Sequence, residues 1–135
     1  MAEEIRFTKE HEWIIMRKEE GGKQDSELAI IGISDFAQKE LGDIVSIELP
    51  KVGSKFKQMQ AMAIIDSVKA SSDVYCALSG EVVEVNEGLL QHPEWINQSP
   101  YELGWIVKLR PSSDVKEELN NSMTKEEYEK FVGEI

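Results

Sequence analysis

The chain has 135 residues, 41% of them hydrophobic, enough to fill the core of one domain of ordinary size. Its 26 acidic and 15 basic residues leave a net charge of −11, which opposes a phosphate backbone, and no run matches the roughly 20 apolar residues of a membrane helix. One cysteine, Cys76, excludes an internal disulfide and a multi-cysteine zinc site, so no metal, nucleic acid or membrane is expected.

The opening Met1-Ala2-Glu3-Glu4 is acidic and unlike a signal peptide, so a cytoplasmic location is expected. Glu12 to Lys18 reads as a strand around Trp13, Ile14 and Ile15. Glu19 to Asp25 is polar and reads as a hairpin loop, and Glu27 to Ile33 returns as a nearly all-apolar strand. Ser34 is placed to cap a short helix that carries Phe36, Ala37 and Leu41 on one face and stops at Gly42. Ile44 to Leu49 predicts a strand with Val45, Ile47 and Leu49 inward, ended by Pro50.

Two further strands flank Lys69, and Gly80 to Val85 forms another. Asn86 to Asn97 predicts a short helical segment broken at Pro93, and Gly104 to Leu109 a last strand with Trp105, Val107 and Leu109 on one face. Two small helices follow. The second begins at Thr124, with Glu127 completing a capping box and Tyr128, Phe131 and Ile135 at helical spacing. Many short strands with few helices predict a mainly β protein, a sandwich or flattened barrel.

The run Ile64-Ile65-Asp66-Ser67-Val68-Lys69-Ala70-Ser71-Ser72-Asp73-Val74-Tyr75 places one lysine at a hairpin tip. A lysine on a turn, away from the core, suits an attachment point. A modifying enzyme must reach the amine, the pivot must be rigid, and the neighbours must be small. Ser67, Ala70 and Ser71 are small, Val68 and Val74 stiffen the flanks, and Asp66 and Asp73 bracket the lysine with negative charge. The plainer alternative is an ordinary surface lysine. His11 has no nucleophile beside it and reads as a histidine that packs or bonds locally; His92, next to Pro93, carries less signal still. Trp13, Trp95 and Trp105 read as core or cleft-wall aromatics.

The lysine run resembles the lipoyl-attachment motif of the H proteins of the glycine cleavage system. The resemblance extends through Lys9-Glu10-His11-Glu12-Trp13, the stretch Ile31 to Val45, Glu48 to Gly53, Ser79 to Asn86, Pro93 to Asn97 and Pro100 to Trp105, in one order along nearly the whole chain. Val68 before the lysine and Ala70 after it are as in that family, where biotin carriers show methionines. The family implies a lipoyl/biotinyl-carrier-like fold of hybrid-hammerhead type over residues 1–135, with a core of about 5–110 and a helical tail of about 112–135.

By this resemblance Lys69 carries lipoate covalently, Asp66, Val68 and Ala70 are read by the arm or the ligase, and Glu12 and Asp73 face the loaded arm. The protein is then a carrier and not an enzyme. Its partners are a pyridoxal-phosphate glycine decarboxylase (P protein), a tetrahydrofolate-dependent aminomethyltransferase (T protein) and a dihydrolipoamide dehydrogenase (L protein). A lipoate ligase or lipoyl/octanoyl transferase loads it, and a monomer is expected. An H-like carrier serving sulfur oxidation or lipoate relay is the alternative, and an unmodified interaction domain is a third. Asp66 stands where the family has glutamate, Cys76-Ala77-Leu78 lacks a common proline, and Phe56 to Ala61 lacks a common glycine. The lost proline predicts a looser turn there. Cys76 is open to two readings, a thiol that exchanges with the lipoyl dithiol or a small buried apolar residue.

Overall fold

A computed structural model describes residues 4–18, 27–112 and 115–134. The loop expected over Glu19 to Asp25 and the apolar anchor expected at Ile135 lie outside the described residues.

Strand β1 (Ile5–Phe7) pairs antiparallel with β2 (Glu12–Lys18), which pairs along its whole length with β3 (Glu27–Ile33). Their register sets Ile14 opposite Ile31 and Ile15 opposite Ile30. Because side chains alternate across a strand, these two pairs serve opposite faces. Ile14 and Ile31 enter the main core, whereas Ile15 and Ile30 join Phe7, Trp13 and Tyr128 on the reverse side. That double burial is why β3 is nearly all apolar. Gly32 lies opposite Trp13, and a Cβ there would sit 2.7 Å from the indole ring, so only glycine admits it.

Helix α1 (Asp35–Leu41) follows as the sequence predicts. The Ala37 N–H donates to Ser34 Oγ at 3.1 Å, and Gly42 closes the helix at φ +77°, donating its N–H to Gln38 O at 3.0 Å. Strand β4 (Ile44–Glu48) corrects one expectation. Val45 is 54% exposed and Ile44 faces inward in its place, while Ile47 is buried and Leu49 packs against the core as expected. A bulge between Ile44 and Ser46 inserts Val45 as an extra residue, which shifts the alternation.

The remaining elements are β5 (Lys55–Phe56), β6 (Ala61–Ser67), β7 (Ser71–Tyr75), β8 (Gly80–Val85), α2 (Gly88–Gln91), α3 (Trp95–Gln98), β9 (Val107–Pro111), α4 (Val115–Asn120), β10 (Met123–Thr124) and α5 (Lys125–Gly133). Among the described residues these strands form two antiparallel sheets, one in the order β10-β1-β2-β3-β9-β8-β5 and the other β4-β6-β7. The main core joins them through Ile14, Ile31, Ile47, Ile65, Val82 and Leu109. The fold is mainly β, a flattened sandwich with short helices.

Trp105 is a second correction. The strand expected from Gly104 is β9, which begins only at Val107 and is followed by β10, and Ile106 is already in the core with its N–H donating to Ile31 O at 2.8 Å. Trp105 therefore escapes the alternation and packs on the reverse side, with Lys108 Nζ 5.0 Å over its ring. The tail is tied down more closely than a loose appendage. β10 pairs with β1, and the capping box at Thr124 and Glu127 starts α5, which buries Tyr128 and half-buries Phe131.

Candidate functional site

Lys69 sits on the turn between β6 and β7, and its side chain is exposed. The turn is held from within and from outside. Ser67 N–H donates to Ala70 O at 2.8 Å, and Ser67 Oγ accepts from Lys69 N and Ala70 N at 3.1 Å each. From outside, Val68 N–H donates to Asp43 O at 3.0 Å. One serine and one carbonyl thus fix the backbone on both sides of the amine while leaving the side chain to move.

The lysine leans over the end of α1. A Cβ on Gly42 would lie 3.2 Å from Lys69 Cε, and Nζ stands 3.4 Å from Glu40 O. Gly42 is itself held by Asn97, whose Nδ2 donates to Gly42 O at 2.9 Å and to Gln38 Oε1 at 3.0 Å. Asn97 Oδ1 accepts from Ile44 N at 3.0 Å.

Beside α1 opens a cavity of about 320 Å³ whose walls include Phe36, Ala37, Glu40, Leu41, Ser72 and Asp73. Glu12 lies at its floor and is only 1% exposed. Thr8 Oγ1 donates to Glu12 Oε1 at 2.6 Å, and Tyr75 N–H donates to Oε2 at 3.2 Å. Burial pushes the Glu12 carboxyl up to about 7, against the pull of those two hydrogen bonds. The site therefore offers a proton-binding group in a partly dry recess, facing Asp73 across the same space. A protonated amine would find two acceptors there.

The structure brings Glu12 and Asp73 to one cavity, with Lys69 leaning toward its Glu40 rim. Val68, 65% exposed, and Ala70 stand outward on the turn. Asp66 is turned away from the amine, accepting from Ser46 Oγ at 3.1 Å and from Ser71 Oγ. A larger groove of about 680 Å³ lies along β4 and β6, with Asp73 also on its edge. No tryptophan lines the cleft: Trp13 packs on the reverse face, donating its indole N–H to Pro100 O at 3.0 Å, and Trp95 packs against the main core and stacks on His92.

Cys76 is fully buried, and its thiol donates to Leu78 O at 2.9 Å. Burial pushes the thiol up to about 12, so a thiolate is disfavoured and the apolar reading fits better than the redox one. The expected looseness after the hairpin is absent. Met59 N–H donates to Cys76 O at 2.6 Å and Cys76 N–H to Gln60 O at 2.8 Å, knitting the segment to the preceding turn. That turn does without glycine because Met59 itself takes φ +67°. Cys76→Ser is expected to keep carrier turnover near wild type, since a serine hydroxyl can donate to Leu78 O as the thiol does. Collapse of turnover in a folded variant, seen in a coupled assay with circular dichroism, would restore the redox reading.

The sequence marks Ser67 only as a small neighbour of the lysine, not as the clamp of its turn, and does not mark Gly42, Asn97 or Thr8 for the site. A Ser two residues before the lysine and a Thr four before Glu12 are consistent with local caps. Asn97 acts across the fold and leaves no local pattern.

The family model for the glycine cleavage H-protein matches residues 5–135. The glycine cleavage system H protein of Halothermothrix orenii is 47% identical over 100% of this chain and 98% of its own length. That of Carboxydothermus hydrogenoformans is 43% identical, over 99% and 95%. The crystal structure of a glycine cleavage system H protein from Mycobacterium marinum superposes with a TM-score of 0.83 at 28% identity, covering 98% of this chain and 99% of that one.

Proposed function

The chain belongs to the glycine cleavage H-protein family, and from that premise we propose that Lys69 carries a lipoyl group whose arm moves between the exposed turn and the cleft above Glu12. The role is that of a lipoyl carrier in glycine cleavage, a carrier subunit of a multienzyme system. The observation that carries the assignment to Lys69 is an exposed amine on a doubly pinned turn beside a cleft with a buried carboxylate.

The residues present fit the group. The flanks are small, the amine is open to an acylating enzyme, and Gly42 leaves the lysine stem the room a side chain would take. When bound, lipoate supplies a disulfide that is reduced as the aminomethyl group is taken up. The chain supplies the rest: a fixed pivot at Ser67, a recess that limits water, and Glu12 and Asp73 to hold the charge of the cargo amine. Tethering keeps the cargo at high effective concentration.

The partners that follow are a glycine decarboxylase, an aminomethyltransferase, a dihydrolipoamide dehydrogenase and a ligase or transferase that recognises Asp66, Val68 and Ala70. We take the protein to act as a cytoplasmic monomer with its fold forming one carrier unit; no helix among the described residues is long and apolar enough to cross a membrane. The names of the relatives favour glycine cleavage over sulfur oxidation or lipoate relay. The lipoylated protein with a glycine decarboxylase is expected to support exchange of labelled bicarbonate into glycine. No exchange with an enzyme active toward another H protein would overturn the pathway.

A further inference from the structure

The cleft wall α1 has a support that the carrier chemistry alone does not call for. Tyr128 of α5 reaches the main sheet's reverse side and places its hydroxyl between two groups of the cleft region. His11 Nδ1 lies 2.7 Å from Tyr128 Oη, and Ser34 Oγ lies 2.7 Å from the same oxygen. Ser34 is fully buried and is the N-cap of α1, accepting from Ala37 N. Its own N–H donates to His11 O at 2.8 Å, so the two residues are joined through both backbone and side chain.

His11 lines the cleft and holds φ +73°, an uncommon conformation for a residue other than glycine, though one that histidine adopts more readily than most. Phe36 and Phe131 flank its ring, at 4.8 and 6.0 Å between centroids. Tyr128 is fixed in turn by stacking on Phe7 at 4.2 Å. Its neighbour in the fold, Tyr101, accepts from Asp35 N–H at 2.9 Å and steadies the same end of α1.

We propose that Tyr128 is a positioning residue for the arm cleft, acting through its hydroxyl on His11 and Ser34 to hold the N-terminal end of α1, and that the C-terminal helix thereby sets how well the cleft shields its cargo. This rests on the carrier reading above.

With a neutral His11 that accepts at Nδ1, the Tyr128 proton goes to the imidazole and Tyr128 Oη is left to accept from Ser34 Oγ, which itself accepts from Ala37 N–H. A protonated His11 would donate to Tyr128 Oη instead and leave one of the two hydroxyl protons without a receiver in this trio. The charged groups around His11 are Glu10 on its own turn, Glu40 on α1, and Glu12 and Asp73 across the cavity. Burial holds the imidazole below its ordinary range although Glu10 and Glu40 pull the other way.

Tyr128→Phe removes the hydroxyl and keeps the ring on Phe7. Its test has two arms, with Val132→Ala as a control that loosens the packing of α5 against the same cluster but removes no hydrogen-bonding group of the trio. In the first, the His11 titration is followed by NMR in the unmodified proteins. Tyr128→Phe is expected to raise the His11 pKa and shift the α1 amides, and Val132→Ala to do neither. In the second, lipoylated proteins are loaded with glycine and a decarboxylase, and loss of the aminomethyl mass is followed after the enzyme is removed. Loss is expected to be several-fold faster in Tyr128→Phe than in wild type or Val132→Ala. An unchanged His11 titration, or a loss rate equal to that of Val132→Ala, overturns the proposal. Wild type that never loads overturns the carrier reading instead, and the NMR arm still decides the trio.

Discussion

Wild-type protein co-expressed with a lipoate ligase and fed lipoate is expected to gain one lipoyl mass, and Lys69→Arg none. Intact-mass spectrometry reads both. Arginine keeps the positive charge and much of the stem, but its guanidinium stays protonated and offers no amine to acylate. The turn does not depend on the side chain, because Ser67 and Asp43 hold it through backbone groups. Unfolding of the variant is therefore expected within about 0.5 kcal/mol of wild type, as for other exposed substitutions. Glycine–bicarbonate exchange should fall to background. The combination of lost function with kept stability is what separates an attachment point from a structural lysine. An unshifted mass in wild type would sink the carrier assignment outright, and a lipoyl mass on the variant would move the site elsewhere.

How far the sequence could lead is shown by single residues. The N-cap at Ser34, the stop at Gly42 and the capping box at Thr124 were legible because each is a local device with its partners within a turn of chain. The strands around Lys69 were legible for the same reason, as apolar runs meeting at small residues. Val45 of β4 was misread because a bulge changes the period by one residue and leaves no mark on composition, whereas Ile47 and Leu49 beyond it keep the expected side. Trp105 was misread because alternation was extended past the strand's true start at Val107. β1, β5 and β10 span three or two residues, too few to show a period. At the site, the lysine and both carboxylates could be named from the resemblance, but the burial of Glu12 could not. At that depth it is met by Thr8 and by Tyr75 of β7, and α1 lines the same cleft, at a position that alternation alone leaves ambiguous. Asn97, Tyr128 and His11 act between segments distant in the chain, and only the fold brings them together.

Glu12 is where stability and function are expected to pull apart. Its carboxyl titrates near 4.5 when unfolded and about 7 when folded, so the folded protein keeps a proton that the unfolded chain gives up. The sign follows: the contribution is full below pH 4.5, declines as pH rises through the window, and is lost above pH 7, a fall of about 3 kcal/mol. His11 works the other way over part of the same range, because its folded pKa is lowered and its contribution is present only above its unfolded value. A wild-type profile mixes the two, and Glu12→Gln isolates the first. The amide is neutral at every pH but can accept from only one of Thr8 Oγ1 and Tyr75 N in the present geometry, at a cost of about 1 kcal/mol. Glu12→Gln is therefore expected to be slightly less stable than wild type at pH 4.5 and about 2 kcal/mol more stable at pH 8. Denaturant unfolding across that range checks both ends, and parallel profiles would show that Glu12 ionises freely. The loaded arm should reverse the ranking. A cargo amine in the cleft draws Glu12 into its ionised form and stays protonated beside it, whereas glutamine provides no such charge. Loss of the aminomethyl group at pH 8 is thus expected to be faster in Glu12→Gln although its fold is the more stable one. Equal loss rates would confine Glu12 to a structural role. A buried carboxylate that weakens the empty protein is sensible only where something charged comes to sit beside it.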